Sequence, residues 1–600
     1  MIKINRIFYL ILFLFSFTFL NAQNRIFDKI QNLKKEGVNF EVVNDILIKS
    51  EQNKEILNEF KNSSKVDFMT YNDNLLNKLS DYISIKVLLD NKVEVLELAA
   101  VDQSFYDYIV TTNEDRVLSA NKDIKHYRGI IKGDENSLVA ISFSKNYIGA
   151  IISNKNGNYN LSLLEDGNQI IVFNENNLIK TLDFECGTID EPFTSSEIND
   201  LNLHSQSNLN SSNKCVRFYY EVEYDVFQNK GSVVNVENYL STIFNQVALL
   251  YENESINTSI SEIKIWTVED PFTGTSTGSL LSQFQNYRTS FNGDLGQLLT
   301  FRSIGGGRAA GFVGLCNSIT AQKLSVSMLY TYHFTSNIYT WNTQVITHEF
   351  GHTFGSRHTH ACVWNGNNTA IDSCAGGTEG GCSLPGVPSG GGTIMSYCHQ
   401  QNVGINFNLG FGIQPGNLIR NKVLQASCLS DCNLPCEENL NITQQVVQNS
   451  IDIRKASNAI LASNLIENTG FAKYTAGNVI VLKPGFHSKL GSNSHFYIAD
   501  CDTQDMFSVS EKKLSEVYDN NEKLNVRLYP NPTTDIITIE SNQEIVFWEL
   551  TDEVGKIIRS GKIDNLKVVD LDFSNLNFGT YNIKIHLKNG ELSYKKMIKR

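Results

Sequence analysis

The sequence predicts a multidomain chain with a mixed α/β (α+β) central domain. A mixed α/β segment precedes this domain, and two small β-rich domains follow it. Three observations support this class. A chain of 600 residues exceeds what one hydrophobic core usually organises. None of its eleven cysteines precedes residue 186, and eight fall between residues 215 and 432. Helical and strand-like patterns mix early in the chain, whereas strict apolar–polar alternation near the C-terminus is typical of strands.

Composition excludes two broad classes of protein. Hydrophobic residues make up 41% of the chain and aromatic residues 10%, enough to build packed cores, which excludes wholesale disorder. The net charge of -13 argues against a nucleic-acid partner, because such proteins normally present a basic face.

The first 22 residues are typical of a secretory signal peptide. Lys3 and Arg6 precede an apolar run at 7–20, and the small Ala22 offers a cleavage site. The alternative is a membrane anchor, but a run of this length is short for spanning a bilayer. Because no other stretch is long and apolar enough, we expect no transmembrane segment in the mature protein. Export through the periplasm predicts that most cysteines form disulfides.

Composition shifts divide the rest of the chain. Residues 23–185 contain neither cysteine nor proline, and a Ser/Asn-rich stretch then marks an exposed connector. The predicted segments are a signal peptide (1–22), an N-terminal segment ending in a polar connector at about 187–212 (23–212), a central domain (213–433), a β module (436–501), a charged linker (502–523) and a C-terminal β domain (524–600).

The stretch HEFGHTFGSRH, residues 348–358, carries the clearest chemistry. On the predicted helix WNTQVITHEFGHTFG, His348 and His352 lie one turn apart and project from one face, so both imidazoles can reach one metal ion. Gly355 permits a sharp turn that brings His358 back as a third ligand. Three protein ligands leave a zinc position open for water, and Glu349 can take a proton from that water. The alternative is three histidines on a polar loop without a metal.

These residues resemble the HExxHxxGxxH motif of the metzincin endopeptidases. GGGTIMSYC at 390–398 is similar to the Met-turn of that family, which implies that Met395 lies beneath the metal. Within the metzincins, residues 213–432 resemble the adamalysin/reprolysin branch in its bacterial form. The resemblance implies an upper lobe with a twisted mixed sheet and the zinc helix, and a small irregular lower lobe after Gly355. It also implies a disulfide between Cys316 and Cys428.

Two positions depart from the adamalysin pattern. Thr359 and His360 follow the third histidine where aspartate is usual, so His360 competes with His358 as a ligand, although the spacing favours His358. Tyr397 follows the methionine by two positions, as in astacins and serralysins, and is a candidate oxyanion stabiliser. The alternative is a tyrosine packed in the lower lobe.

The remaining cysteines leave several pairings open. Cys362, Cys374, Cys382 and Cys398 bracket a glycine-rich stretch that we expect to be irregular backbone, and their spacing does not fix the pairs. Residues 476–493 are similar to the three-coathanger stack of secreted Bacteroidetes proteins, and Cys436 and Cys501, which flank that module, are expected to form a disulfide.

The C-terminal domain resembles a type IX secretion sorting domain. LYPNPTTD at 528–535, LNFGTYNIKI at 576–585 and the terminal KKMIKR carry the resemblance, which implies a β-sandwich recognised by the secretion machinery. The alternative is a plain β accessory domain.

Cys186, in LDFECGTID, is left over when the ten later cysteines pair. Thiolate is a strong zinc ligand, and reprolysins use a propeptide cysteine to fill the position that water needs, so residues 23–212 are predicted to be an inhibitory propeptide. The alternative is a disulfide between Cys186 and Cys215.

The sequence therefore predicts a secreted or surface-anchored zinc endopeptidase, made as a latent zymogen, with one catalytic Zn²⁺ and protein or peptide substrates. Calcium binding is left open. The alternative function is an adhesive or structural surface protein with an inactive protease domain, against which the retained Glu349 argues. Hydrolysis of a non-peptide substrate at the same zinc is the third hypothesis.

Overall fold

The structure is a computed structural model that describes residues 24–113, 117–145, 147–164, 169–179, 185–188, 192–193, 214–331, 340–430, 437–448, 451–498, 526–531, 533–552, 556–588 and 592–600. The predicted signal peptide, most of the polar connector, the charged linker, Cys436 and Cys501 lie outside these residues. The chain divides into two compact units, Met1–Thr503 and Gln504–Arg600.

The α-helices of the described residues all lie in the first unit. They are α1 (Arg25–Lys35), α2 (Tyr224–Lys230), α3 (Val233–Asn253), α4 (Thr277–Tyr287), α5 (Thr340–Phe354) and α6 (Ile413–Gln425). Side chains cap several of them: the Asn24 side chain accepts from Phe27 N at α1, and Ser276 forms a capping box with Ser279 at α4.

Strands dominate the N-terminal segment. They are β1 (Glu41–Val42), β2 (Leu47–Lys49), β3 (Val66–Tyr71), β4 (Tyr82–Leu89), β5 (Lys92–Ala100), β6 (Ile109–Thr112), β7 (Val117–Ser119), β8 (Lys125–Ile131), β9 (Leu138–Ser144), β10 (Tyr147–Asn154), β11 (Gly157–Leu163), β12 (Ile170–Asn174) and β13 (Glu185–Cys186). Ten of them form one sheet in the order β1-β4-β5-β8-β9-β10-β11-β12-β3-β2, antiparallel except between β1 and β4. Runs such as LVAISFS in β9 are buried along their whole length, because both faces of the sheet are covered.

The central domain is mixed α/β, as the sequence predicts. Its own strands are β14 (Cys215–Val222), β15 (Asn257–Ile265), β16 (Leu295–Thr300), β17 (Gly306–Ala309) and β18 (Leu324–Met328). The sheet has the order β13-β17-β18-β16-β14-β15-β6-β7, with β17 antiparallel to β18 and β6 antiparallel to β7. Both outer positions thus belong to the N-terminal segment, which extends the central sheet at each end in addition to forming its own sheet.

Helix α3 lies between the central sheet and the N-terminal sheet. Three of its polar residues have partners in the N-terminal segment. Tyr108 Oη donates to Glu237 Oε1 at 3.0 Å, Arg128 Nε donates to Asn245 Oδ1 at 3.0 Å, and Arg128 Nη1 donates to Glu252 Oε2 at 2.7 Å. Polar side chains on the helix face that packs under a second sheet are typical of an interface that can also be exposed to solvent.

The chain after α5 is irregular up to α6, with only short 3₁₀ turns among its described elements. Two disulfides lie within this part, Cys362–Cys382 and Cys374–Cys398, whereas Cys316–Cys428 joins the chain before α5 to the chain after α6. Cys316–Cys428 is the pair that the metzincin resemblance implies, and the other two resolve pairings that spacing leaves open.

The β module is a stack of parallel strands: β19 (Glu437–Ile442), β20 (Ile451–Ala462), β21 (Leu465–Ile466), β22 (Phe471–Ala476), β23 (Val479–Leu482), β24 (His487–Ser488) and β25 (Asn493–Ile498). Register gives the repeat of the stack: Asn439 lies beside Ala459, which lies beside Val479. The residues between one partner and the next therefore form one coil of the stack. Each coil buries small and apolar side chains against the next coil.

The second unit is an antiparallel β domain. Its strands are β26 (Val526–Tyr529), β27 (Ile536–Thr551), β28 (Ile557–Asp572), β29 (Gly579–Leu587) and β30 (Leu592–Lys599), in the order β26-β27-β29-β30 with β28 also paired to β27. Alternate residues of β27 are buried, around a core that includes Trp548 and Ile585.

Candidate metal centre

Helix α5 positions the first two predicted ligands. Its residues are buried throughout, and His348 and His352 are one turn apart on one face. His348 Nδ1 lies 2.8 Å from Ile394 O, and His352 Nδ1 lies 2.8 Å from Ser356 O. Because a carbonyl oxygen only accepts, each Nδ1 carries the proton and each Nε2 presents a lone pair.

Gly355 ends the helix and returns the chain to the same point. Its φ is +123°, a conformation that favours glycine, and the turn brings His358 to the other two histidines. His352 Nε2 lies 3.1 Å from His348 Nε2 and 3.1 Å from His358 Nε2. The three predicted ligand nitrogens therefore converge.

The three nitrogens fit a tetrahedral metal ion such as zinc. Burial, followed by the neighbouring His358, holds the pKa of His348 and of His352 well below the usual value, so both rings are neutral. Neutral imidazoles whose lone pairs face one another need a shared cation to offset their repulsion. Such a site, with its distal nitrogens already hydrogen-bonded, has the donor set and orientation of a metal centre.

Glu349 lies beside the centre with an unused oxygen. The residue is fully buried, and its Oε1 has no hydrogen-bond partner among the described residues. A Cβ at Gly307 on β17 would collide with that oxygen, so only glycine there leaves it room. In the metal-free geometry, burial raises the pKa of the Glu349 carboxyl to about 8, although the hydrogen bond from Cys186 lowers it. This carboxyl is placed to exchange a proton with a molecule at the centre.

Met395 lies beneath the ligands on the side of the helix. A Cβ at Gly351 would come within 2.6 Å of Met395 Sδ, so the glycine between the two histidines permits this approach. Met395 is fully buried, and its backbone oxygen accepts from Thr359 N at 3.1 Å, just after His358. The turn at 393–396 thus contacts both the helix that carries His348 and His352 and the loop that carries His358.

Cys186 is the one free cysteine of the described residues, and it lies at the metal centre. Its Sγ is 3.4 Å from His352 Nε2, and its ligand atom and those of the three histidines all lie within 4.8 Å of one another. The alternative disulfide with Cys215 is wrong, because Cys215 is disulfide-bonded while Cys186 is free. Burial, followed by the charge of Glu349, raises the pKa of the Cys186 thiol to about 11 in the metal-free geometry.

A short strand pairing holds Cys186 in place. Strand β13 runs parallel to β17, with Cys186 beside Gly307. Thr188 N donates to Cys186 Sγ at 3.4 Å, and Thr188 Oγ1 accepts from Ala309 N at 2.9 Å. The N-terminal segment thereby lies along the sheet edge that borders the metal centre.

Tyr397 forms two hydrogen bonds with the backbone of the same cysteine. Its Oη accepts from Cys186 N at 3.0 Å and donates to Cys186 O at 3.1 Å. The ring also lies 5.0 Å from the ring of His358, between centroids. Tyr397 is therefore packed near the metal centre and bonded to the N-terminal segment, and its role as an oxyanion stabiliser stays a prediction.

Glu379, which the sequence did not single out, contacts the third ligand. Its Oε2 lies 3.3 Å from His358 Nδ1, and its Oε1 lies 3.4 Å from His360 Nε2. His360 stacks on His358 and faces away from the other two histidines. Glu379 lies in the glycine-rich stretch, whose fold depends on disulfides that spacing does not fix, so no sequence signal identified it.

The chemistry of such a centre belongs to the metallopeptidases. The comparisons give the family: the model of metallo-peptidase family M12, of the reprolysin type, matches residues 212–406. Residues 212–406 are therefore a domain of this family and the protein is a metalloendopeptidase, which confirms the resemblance drawn from the motif.

The C-terminal resemblance is also confirmed. The model of the secretion system C-terminal sorting domain matches residues 527–600, which makes the protein a secreted or cell-surface metallopeptidase. Among the described residues, no helix has the length and apolar character that crossing a bilayer requires.

The other comparisons add little. A crystal structure of metalloproteinase-II from Bacteroides fragilis is 14% identical, covers 50% of this chain and 88% of its own, and has a TM-score of 0.31. The comparison with curated proteins finds no match.

Proposed function

We propose that the protein is a zinc endopeptidase of extracellular proteins that is made as a latent precursor and reaches the outside by way of the periplasm. The observation that carries the proposal is the convergence of His348, His352 and His358 Nε2 beside the partnerless oxygen of Glu349. An adhesive protein with an inactive domain has no need of that carboxylate.

Each residue has a proposed role in peptide hydrolysis. The three histidines would hold a zinc ion, which when bound would act as a Lewis acid and lower the pKa of a water molecule to about 7. Glu349 accepts a proton from the attacking water and then gives it to the leaving amine. Met395 supports the ligands through the contact at Gly351. Tyr397 is proposed to stabilise the oxyanion once its bonds to Cys186 are released.

Latency is proposed to arise from Cys186. Its thiolate would take the metal position that water needs, and pairing of β13 with β17 would cover the sheet edge where a peptide is expected to bind. A metal ion would hold the sulfur as thiolate at neutral pH. Cleavage after residue 188, in the predicted polar connector, would then separate the N-terminal segment from the enzyme.

The polar face of α3 supports removal of that segment. Glu237, Asn245 and Glu252 are paired with the N-terminal segment in this structure, and each is a side chain that water can also satisfy.

The test uses the precursor and its processed form on a peptide library. Peptide cleavage by the processed enzyme that stops with a zinc chelator and returns with zinc would support the proposal. A zinc-loaded, folded and processed enzyme that cleaves no peptide would refute it. Hydrolysis of non-peptide esters or amides in the same assay would favour the third hypothesis.

A further inference from the structure

Phe193 of the N-terminal segment lies in a cradle beside the metal-binding loop. The Phe193 ring centroid is 5.3 Å from that of Trp364, with the rings 80° apart. Arg357 Cζ lies over the Phe193 ring, 4.5 Å from its centroid. The same Cζ lies over the Phe312 ring, 4.1 Å from its centroid. Phe312, Arg357 and Trp364 together are named the aromatic cradle.

The aromatic cradle is built into the ligand loop and not into the N-terminal segment. Trp364 Nε1 donates to His358 O at 2.7 Å, and Arg357 Nη1 donates to Gly355 O at 2.9 Å. Phe312 lies 5.6 Å from His352, between ring centroids. Because these contacts all lie within the peptidase domain, we expect the cradle to keep its shape when Phe193 leaves.

We propose that the aromatic cradle is a subsite for an aromatic side chain of the peptide substrate, which Phe193 occupies in the precursor. This inference rests on the proposed peptidase function. Cys186 and Phe193 lie on one short segment, with the first at the metal and the second in the cradle. A peptide that takes the place of this segment would have its scissile bond at the metal and an aromatic side chain in the aromatic cradle.

The geometry favours an aromatic ring over a carboxylate. A carboxylate binds a guanidinium in its plane through N–H groups, whereas a ring binds its flat face. Arg357 Cζ lies over the rings of both Phe193 and Phe312 at similar distances, so the place that Phe193 leaves is suited to another ring. The neighbouring Trp364 adds an edge-to-face ring contact.

The main experiment compares peptides that differ at one position. The processed enzyme is given a set in which Phe, cyclohexylalanine, Ala or Glu is placed in turn at each position near the scissile bond. Cyclohexylalanine matches the size of Phe without its π system. At one position we expect kcat/KM for Phe to exceed that for Ala by about tenfold and that for cyclohexylalanine by about threefold. In Arg357→Lys, which keeps the charge but loses the flat face, the ratio of Phe to cyclohexylalanine should fall to about 1.

A binding measurement tests the subsite without relying on peptide cleavage or on the Arg357→Lys variant. The peptide ECGTIDEPF, residues 185–193, is titrated into the wild-type processed enzyme by calorimetry, beside a copy with cyclohexylalanine for Phe193. We expect the Phe peptide to bind about threefold more tightly. Equal binding of the two peptides, or a preference for Glu at the mapped position, would overturn the subsite. Peptide cleavage without aromatic preference would overturn only the subsite, whereas absence of any cleavage would count against the proposed function.

Discussion

The proposed metal ligands and the segment that covers them are specified in different ways. The ligands come from eleven consecutive residues, 348–358, on one helix and one glycine turn. The covering segment, 185–188, is held by residues far along the chain: Cys186 meets Tyr397 at a separation of 211 residues, and Thr188 meets Ala309 at 121. The geometry of the ligands thus depends on local sequence, whereas the position of the covering segment depends on tertiary contacts. Substitutions should therefore separate catalysis from latency.

The largest expected effect is on the chemistry of the ligand region. Glu349→Gln keeps the shape of the side chain and all three histidines but removes the base. We expect the processed variant to bind zinc like the wild type and to lose about 10²–10⁴ in kcat. Metal content and steady-state kinetics measure the two properties. Near wild-type kcat with zinc bound would mean that Glu349 is not the base.

Cys186→Ser changes only the covering segment. The hydroxyl is a weak zinc ligand, so β13 loses its anchor at the metal and should leave the sheet edge; the uncleaved variant precursor should then cleave peptide, whereas the wild-type precursor should not. Thr300→Ser, a buried change away from the centre, is a matched control and should stay latent. Continued latency of uncleaved Cys186→Ser would show that the cover does not act through the thiolate.

Glu379→Gln tests the contact between His358 and the glycine-rich stretch. A Glu379 carboxylate that accepts a hydrogen bond from His358 Nδ1 makes the Nε2 of that ring a more basic metal ligand. We expect the zinc Kd of the processed enzyme to rise by about 10- to 100-fold, measured by competition with a chromogenic chelator. Glu269→Gln, at an exposed position, serves as the control. An unchanged Kd would exclude the positioning role.

Glu175 should make the cover sensitive to pH. Burial raises the pKa of this carboxyl to about 7, although hydrogen bonds from Thr340 and Asn158 lower it. A raised pKa means that docking is strongest below the ordinary value of 4.5 and weakens as pH rises through about 7. The cleaved N-terminal segment should therefore dissociate more readily at pH 8 than at pH 5, by about tenfold or more.

The matched variants isolate that carboxyl. Glu175→Gln should flatten the pH dependence of dissociation, whereas Glu55→Gln, at an exposed position of the same segment, should leave it unchanged. A pH profile that is identical in wild type and Glu175→Gln would assign the dependence to other groups.

The same contrast explains what the sequence could predict. The ligand set, Glu349 and Met395 follow from a helix period, a glycine turn and a family motif, all within short stretches. The mixed α/β class of the central domain also follows. The two outer positions of its sheet could not be predicted, because β6 and β13 pair with strands more than a hundred residues away. Glu379 and the aromatic cradle depend on loop folds that local patterns do not specify.

The central claim is that one metal ion joins the ligand region to the cover in the precursor. X-ray absorption at the zinc edge of the precursor and the processed enzyme tests it most directly. The account predicts three nitrogen scatterers at about 2.0–2.1 Å in both forms, and a sulfur scatterer at about 2.3 Å in the wild-type precursor alone. It also predicts that Cys186→Ser removes the sulfur. A precursor whose zinc has only nitrogen and oxygen neighbours, or that binds no zinc at all, would contradict the account.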